Sequence, residues 1–330
     1  MGIVKTGVVG VGHLGRFHLK WLAQLPQSEL VGIYDVDTHK AQKLAAQYGT
    51  QVFDSLEDLA EAVEAVSIAV PTTDHFSVAA SLIEHGCHCL IEKPVTADLE
   101  QADRLNRLAD THDVIVMVGQ IERFNPAIRA LQTEDVRPTF IEGHRLAAFD
   151  PRGTDVAVVL DLMIHDIDLA LMLVRSSITD IQASAVAVVS EQADIANARL
   201  TFANGAVANL TASRISLKAM RKLRIFQESG YFSLDLARKQ ADIYSLVTPG
   251  ETRPGLRVPL GKSGRDILYQ KVVDDGLDML GSELTAFLEA VSGKRPVAVP
   301  LSEATEALRV ALEIERIGTE SSARVLANGN

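Results

Sequence analysis

The chain has 330 residues, 47% of them apolar and 23% charged, with a net charge of -11 at pH 7. The apolar share excludes a disordered chain, the length suits two domains of roughly 100–200 residues each, and the negative charge excludes nucleic acid or an anionic membrane as partner, since neither polyanion is attracted. No run of about 18 apolar residues is present to span a membrane, and the chain enters a strand almost at once without room for a secretory leader, so a cytoplasmic location is expected.

Residues 3–9 form an apolar run that enters Gly10-Val11-Gly12-His13-Leu14-Gly15, and residues 16–22 continue as an amphipathic helix. Strand, G-x-G-x-x-G and helix in this order build a phosphate cradle. The first glycine makes the tight turn, the second lets backbone approach a pyrophosphate, and the third lets helix pack on strand. The unpaired N–H groups of the helix N-terminus then face the anion. A second strand over 29–34 ends in Asp35, about twenty residues on, where an acid binds the hydroxyls of the adenosine ribose. A carboxylate there repels a 2′-phosphate and no arginine follows closely, so NAD is expected rather than NADP. A solvated turn aspartate is the bland alternative for Asp35.

Strands and helices then alternate: helix 38–47, strand 51–53, helix 55–62, strand 65–70, helix 74–84, strand 87–91, helix 98–109 and strand 114–118. Valine- and isoleucine-rich runs separated by helices predict a parallel sheet covered on both faces. The first domain, residues 1–121, is therefore read as a doubly wound α/β Rossmann domain. Cys87 and Cys89, with His85 and His88, look like a metal cluster but lie on a strand predicted to be buried. Reduced apolar thiols are the expectation, and no metal is predicted.

Beyond Gln120 the pattern changes. A short helix over 125–131, a strand over 139–148 and an apolar helix within 156–174 precede strand candidates at 178–190, 195–202, 206–215, 221–227 and 231–236. Asn204-Gly205 is a hairpin signal. Residues 246–265 read as an irregular excursion, and helices at 274–291 and 302–317 close the chain. The second domain, residues 122–330, is read as an α+β domain with a large, mostly antiparallel open sheet, its last helices able to pack back on the first domain.

Ligands of an open parallel sheet bind beyond the carboxyl ends of its strands. Three such ends carry polar groups: Pro71, Thr72 and His75; Glu92, Lys93 and Pro94; and Gln120. His75 reads equally as a cofactor neighbour or a structural residue at a helix start. Lys93 reads as a cation beside the cofactor rather than a solvated surface lysine. In the second domain Asp161 and His165 stand four apart on one helical face, which suits a carboxylate orienting an acid–base imidazole.

Gly10 to Gly15, the Glu92-Lys93-Pro94 triplet and the Asp161…His165 pair together resemble the glucose–fructose oxidoreductase/inositol dehydrogenase (Gfo/Idh/MocA) family along the whole chain, including the helix that begins Glu283-Leu284-Thr285-Ala286-Phe287. The resemblance implies an NAD-dependent dehydrogenase of sugar hydroxyls. Its catalytic set is Lys93, Asp161 and His165, and Gly10, Gly12, His13, Leu14, Gly15, Asp35, Pro71, Thr72, His75, Glu92, Lys93 and Gln120 lie at the cofactor. It also implies a homodimer or homotetramer assembled through the second-domain sheet. Arg123, Asn125, Arg152, Asp155 and His165 are expected at the substrate. The strings 123–126 and 151–155 resemble the branch acting on UDP-N-acetylglucosamine at C3, whose keto product feeds an aminotransferase making diamino sugars for lipid A. Arg145, Arg152, Arg214, Lys218, Arg221 and Lys222 suit a diphosphate if they converge, and are solvated strand faces if they do not. The alternatives are an inositol or free-sugar dehydrogenase, an NAD-dependent glycosidase, and a non-catalytic dinucleotide-binding regulator.

Overall fold

The computed structural model describes residues 2–150, 156–248, 251–260 and 264–328. In chain order the first elements are β1 (Val4–Val9), α1 (Gly15–Leu22), β2 (Ser28–Tyr34), α2 (Thr38–Tyr48), β3 (Gln51–Val52), α3 (Leu56–Ala62), β4 (Ala65–Ile68), α4 (Thr72–Glu84), β5 (His88–Glu92), α5 (Leu99–His112) and β6 (Val116–Gly119). There follow α6 (Pro126–Arg129), β7 (Phe140–Leu146), a π-helical turn (Val159–Met163) leading into α7 (Ile164–Val174), β8 (Ile178–Val186), β9 (Ile195–Phe202), β10 (Val207–Ser213), β11 (Met220–Gln227) and β12 (Gly230–Asp235). The chain ends with β13 (Gln240–Val247), β14 (Leu256–Pro259), β15 (Asp266–Val272), α8 (Met279–Val291) and α9 (Leu301–Asn328).

Two compact units result. The first takes residues 1–121 and 278–308, and the second residues 122–277 and 309–330. In the first unit six parallel strands run in the order β3-β2-β1-β4-β5-β6. Every residue of β4 and β6 is buried, as a sheet covered on both faces requires. Asp37, Ser55, Asp98 and Asp278 each cap a helix by accepting a backbone N–H three residues on. α8 packs against α1, where Gly281 leaves room for Trp21: a Cβ there would stand 3.0 Å from the indole. Cys87 and Cys89 are buried thiols, and burial pushes the Cys87 pKa up to about 11.

The second unit is built on nine strands in the order β14-β15-β13-β12-β11-β7-β10-β9-β8, antiparallel except for the β7–β10 pair. One face is apolar. Ile141, Leu210, Leu223, Ile225, Phe232, Leu234 and Ile243 are buried on it, and α7 packs against β7 and β10. The opposite face is half-exposed, and Phe140, Phe226, Tyr231, Tyr244 and Tyr269 run across it as a row with ring centroids 4.8–5.6 Å apart. Gly318 and Ser322 of α9 lie against Ala185 of β8.

The hairpin at Asn204-Gly205 forms with Gly205 at φ +86. The sequence reading missed β13 and β15 and took the region of β14 for an irregular excursion, of which residues 249–250 and 261–263 lie outside the described residues. β13 alternates buried Ala241, Ile243, Ser245 and Val247 with half-exposed residues, a period-2 signal blurred by the small or polar residues within it.

Candidate active site

The glycine loop sits at the carboxyl edge of the first sheet, and each glycine has a separate physical reason. Gly10 has φ +80, a conformation unfavourable to side chains, and a Cβ would stand 2.7 Å from the Ala69 carbonyl oxygen. Gly15 lies so close to the loop that its Cβ would come within 1.8 Å of the Gly10 oxygen. The Cβ position of Gly12 opens into empty space, as an approaching pyrophosphate requires. No side chain caps α1, so its first N–H groups are left for an anion. His13 and Leu14 are exposed on the loop, and the His13 ring meets Phe17 edge-on at 5.7 Å.

Asp35, at the end of β2, accepts the Val11 N–H at 2.6 Å and the Asp37 N–H at 2.8 Å, so it holds the glycine loop as well as facing the cleft. Lys40 stands 3.4 Å from the same carboxylate, a neighbour the sequence reading did not name although it lies only five residues on. Gly10, Gly12, Asp35, Lys40 and Pro71 line a cleft of about 620 Å³. Its size, its open glycine and its carboxylate fit a bound dinucleotide. Thr72 is half-buried at the start of α4.

At the end of β5, Lys93 is half-buried and its peptide bond to Pro94 is cis. Two residues expected at the cofactor make internal hydrogen bonds. His75 is buried and spans the interior: Nδ1 donates to the Pro94 carbonyl at 2.9 Å, and Nε2 lies 3.1 Å from the Val70 carbonyl oxygen. Burial holds its pKa below the usual value despite these carbonyls. It is therefore a neutral brace between α4 and the turn after Lys93. Glu92 turns its carboxylate to His18 Nε2 at 2.9 Å and to the Lys93 N–H at 3.3 Å. Gln120 is also buried, and its side-chain oxygen meets no hydrogen-bond partner among the described residues.

In the second unit Asp161 lies within the π-helical turn and His165 just past its end, both half-buried. Single π turns inside helices are frequent at functional sites. The residues around them are bound into ion pairs. Arg123 forms a bidentate pair with Asp168 at 2.6 and 2.8 Å, with side chains 7% and 1% exposed. It thus ties the turn after β6 to α7. Asn125 is likewise held by internal hydrogen bonds. Its amide donates to Glu122 and to the Leu236 carbonyl, both at 2.9 Å, and its oxygen accepts the Ala127 N–H, so it caps α6 from a buried position. Arg152 and Asp155 lie outside the described residues.

The basic set is also thinned. Arg145 is buried between Asp166 and Glu122 at 2.7 and 2.8 Å, and Arg214 donates to the Val156 carbonyl. Lys222 pairs across the ladder with His144 and so shares the half-exposed face. Arg221 pairs with Arg145 on the opposite face, is exposed and lies 4.0 Å from Glu122. The Glu122–Arg145–Asp166 cluster went unread in the sequence because Arg145 lies 23 residues from Glu122 and 21 from Asp166, separations that carry no spacing signal.

A dinucleotide cleft on one sheet and an Asp–His turn against a second define a two-domain, nucleotide-dependent oxidoreductase. Residues 4–120 match the oxidoreductase family with an NAD-binding Rossmann fold, and residues 132–233 match the GFO/IDH/MocA C-terminal domain. This chain belongs to the Gfo/Idh/MocA oxidoreductase family. It is 40% identical over 317 residues to UDP-N-acetylglucosamine 3-dehydrogenase of Acidithiobacillus ferrooxidans, covering 94% of this chain and 97% of that protein. A solved structure of that enzyme superposes with a TM-score of 0.86 at 37% identity, covering 96% of this chain and 98% of that one. Myo-inositol 2-dehydrogenase of Thermotoga maritima is 24% identical over 318 residues, 90% of each chain.

Proposed function

We propose that this enzyme oxidises the C3 hydroxyl of UDP-N-acetylglucosamine, with NAD rather than NADP as the acceptor. The observation that carries the substrate is the 40% identity, spread over nearly the full length, to a relative with that activity. Asp35 favours NAD, since a carboxylate turned toward the ribose position repels a 2′-phosphate; Lys40 at 3.4 Å is shared with Asp35 and leaves that preference weaker than an isolated acid would give.

Oxidation of a secondary alcohol removes a proton from oxygen and a hydride from the same carbon. The nicotinamide, when bound, accepts the hydride. His165 takes the proton, imidazole being the side chain whose ordinary range suits proton transfer at neutral pH. Asp161 orients the ring and stabilises the imidazolium, and the Lys93 ammonium stabilises negative charge developing on the reacting oxygen. Arg221 and Lys218 are exposed cations offered to the diphosphate, with Arg152 also in the expected set. Assembly into a homodimer or homotetramer uses the half-exposed face of the second sheet, where the aromatic row supplies apolar area.

The test follows reduced cofactor with UDP-N-acetylglucosamine, UDP-glucose, myo-inositol and glucose as substrates. Turnover of the acetylated nucleotide sugar with NAD is expected, and activity on the free polyols alone overturns the assignment. Lys93→Ala and His165→Ala should each lose about 10²–10⁴ in kcat while still binding NAD. Loss of NAD binding alone would remove both residues from the catalytic set.

A further inference from the structure

Lys93 stands in a turn held on both sides by buried imidazoles. On its N-terminal side, Ser67 of β4 meets His18 Nδ1 at 2.7 Å, and His18 Nε2 meets one Glu92 oxygen at 2.9 Å. The other Glu92 oxygen accepts the Lys93 N–H at 3.3 Å. On its C-terminal side, Nδ1 of His75 in α4 meets the Pro94 carbonyl oxygen at 2.9 Å. Ser67 and His75 are 1% exposed and His18 2%. Groups so deeply buried serve the position of their neighbours.

Both Glu92 oxygens face donors, which suits an ionised carboxylate, a group that only accepts. That assigns the His18 proton to Nε2, where it is donated to Glu92, and leaves Nδ1 to accept the Ser67 hydroxyl. Serine, histidine and carboxylate in this order resemble a nucleophilic triad with the two ring nitrogens exchanged. A serine sealed inside a sheet strand has no substrate to attack, so the chain is a brace. Gly119 leaves room for it, since a Cβ there would crowd the Glu92 carboxylate at 3.2 Å. Burial works against the Glu92 charge, but His18, the Lys93 N–H and the Lys93 charge hold its carboxyl below the usual range.

We propose that His18 is a positioning residue for Lys93: its Nε2–H ties α1 to Glu92 and so fixes the strand end that carries the cation. This rests on the role of Lys93 proposed above. His18 lies on α1 three residues beyond Gly15, so the helix whose N-terminus is left open for an anion also sets the backbone at Lys93. The bond from the ring to the carboxylate is charge-assisted, which makes it the stronger of the two that His18 forms.

The test separates the two bonds of the ring in the full chain. An asparagine amide reaches the Nδ1 position and a glutamine amide the Nε2 position. His18→Asn therefore keeps the Ser67 contact alone, and His18→Gln keeps the Glu92 contact alone. Each variant loses one buried hydrogen bond, so a merely structural role moves both alike. With NAD and UDP-N-acetylglucosamine, His18→Asn should lose about tenfold to a hundredfold in kcat, and His18→Gln should stay within about threefold of wild type. The NAD Kd should change by less than about twofold in either variant. Equal kcat in the two variants, or a loss carried by the NAD Kd, overturns the positioning role.

A further readout is independent of turnover: acylation of Lys93 by an amine-reactive reagent, followed by peptide mass spectrometry. Its rate should shift several-fold in His18→Asn and not in His18→Gln; equal rates in all three proteins overturn the role. Should His18→Asn fail to fold, Glu92→Met removes both acceptors at similar length and takes its place, with the same loss and shift expected and wild-type rates overturning the role. If the wild type oxidises no sugar, the proposed function fails while labelling still decides this inference.

Discussion

At Gly15 a single added carbon would stand 1.8 Å from the Gly10 carbonyl oxygen, a distance no packing adjustment relieves without moving the loop. Gly15→Ala is therefore expected to displace the phosphate cradle and weaken NAD binding by at least about tenfold, measured by calorimetric titration. Wild-type affinity in a folded variant would mean that α1 shifts freely, against the packing seen. At this scale the glycines, Asp35, Lys93 and the Asp161…His165 pair were visible in the sequence because each belongs to a short spacing. What spacing does not carry is the direction in which a polar side chain turns. Arg123, Asn125, Glu92 and His75 all stand beside the predicted site in sequence, and each turns inward because a buried donor or acceptor awaits it: Asp168, the Ala127 N–H, His18 and the Pro94 carbonyl. Those partners lie from two to 74 residues away, and only the folded chain assembles them.

Between β8 and β9, residues 188–190 wrap around Asp194. Its carboxylate accepts the N–H groups of Val188, Val189 and Ser190 at 2.7–3.1 Å and the Ser190 hydroxyl at 2.6 Å. Although enclosure opposes the charge, these donors hold the Asp194 carboxyl far below the usual range. Such a group stabilises the fold above the carboxylate range of unfolded chains and loses that effect as pH falls through its own low value. Asp194→Asn should melt below the wild type at pH 7, and the difference should shrink as the pH is taken toward 3. A difference constant with pH would show that the loop is held by something other than this charge. Elements with strong periodicity, the parallel strands and β7 to β12, were legible because burial imposes a period on the residues. β13, with small and polar residues among its buried set, and β14 and β15 at the sheet edge were not. An edge strand needs fewer apolar residues to pair, so its pattern is weaker.

Across the whole molecule, the half-exposed face of the nine-stranded sheet bears on assembly. Tyr244 stands at the middle of one arm of the aromatic row, 5.6 Å from Tyr231 and 5.0 Å from Tyr269. If a second copy covers this face, Tyr244→Glu places a charge in an apolar contact. The sedimenting mass should then fall to that of one chain or one dimer, with the melting temperature of each unit little changed. An unaltered mass would put the assembly surface elsewhere. The sequence by itself determined the class of both sheets and the dinucleotide-binding glycine loop, since periodicity and short motifs are local consequences of burial and of phosphate geometry. Only the tertiary structure decided which charges are buried against one another and that α8 belongs with the first sheet. Those outcomes depend on partners far apart in the chain, and desolvation has no value until the fold removes the water.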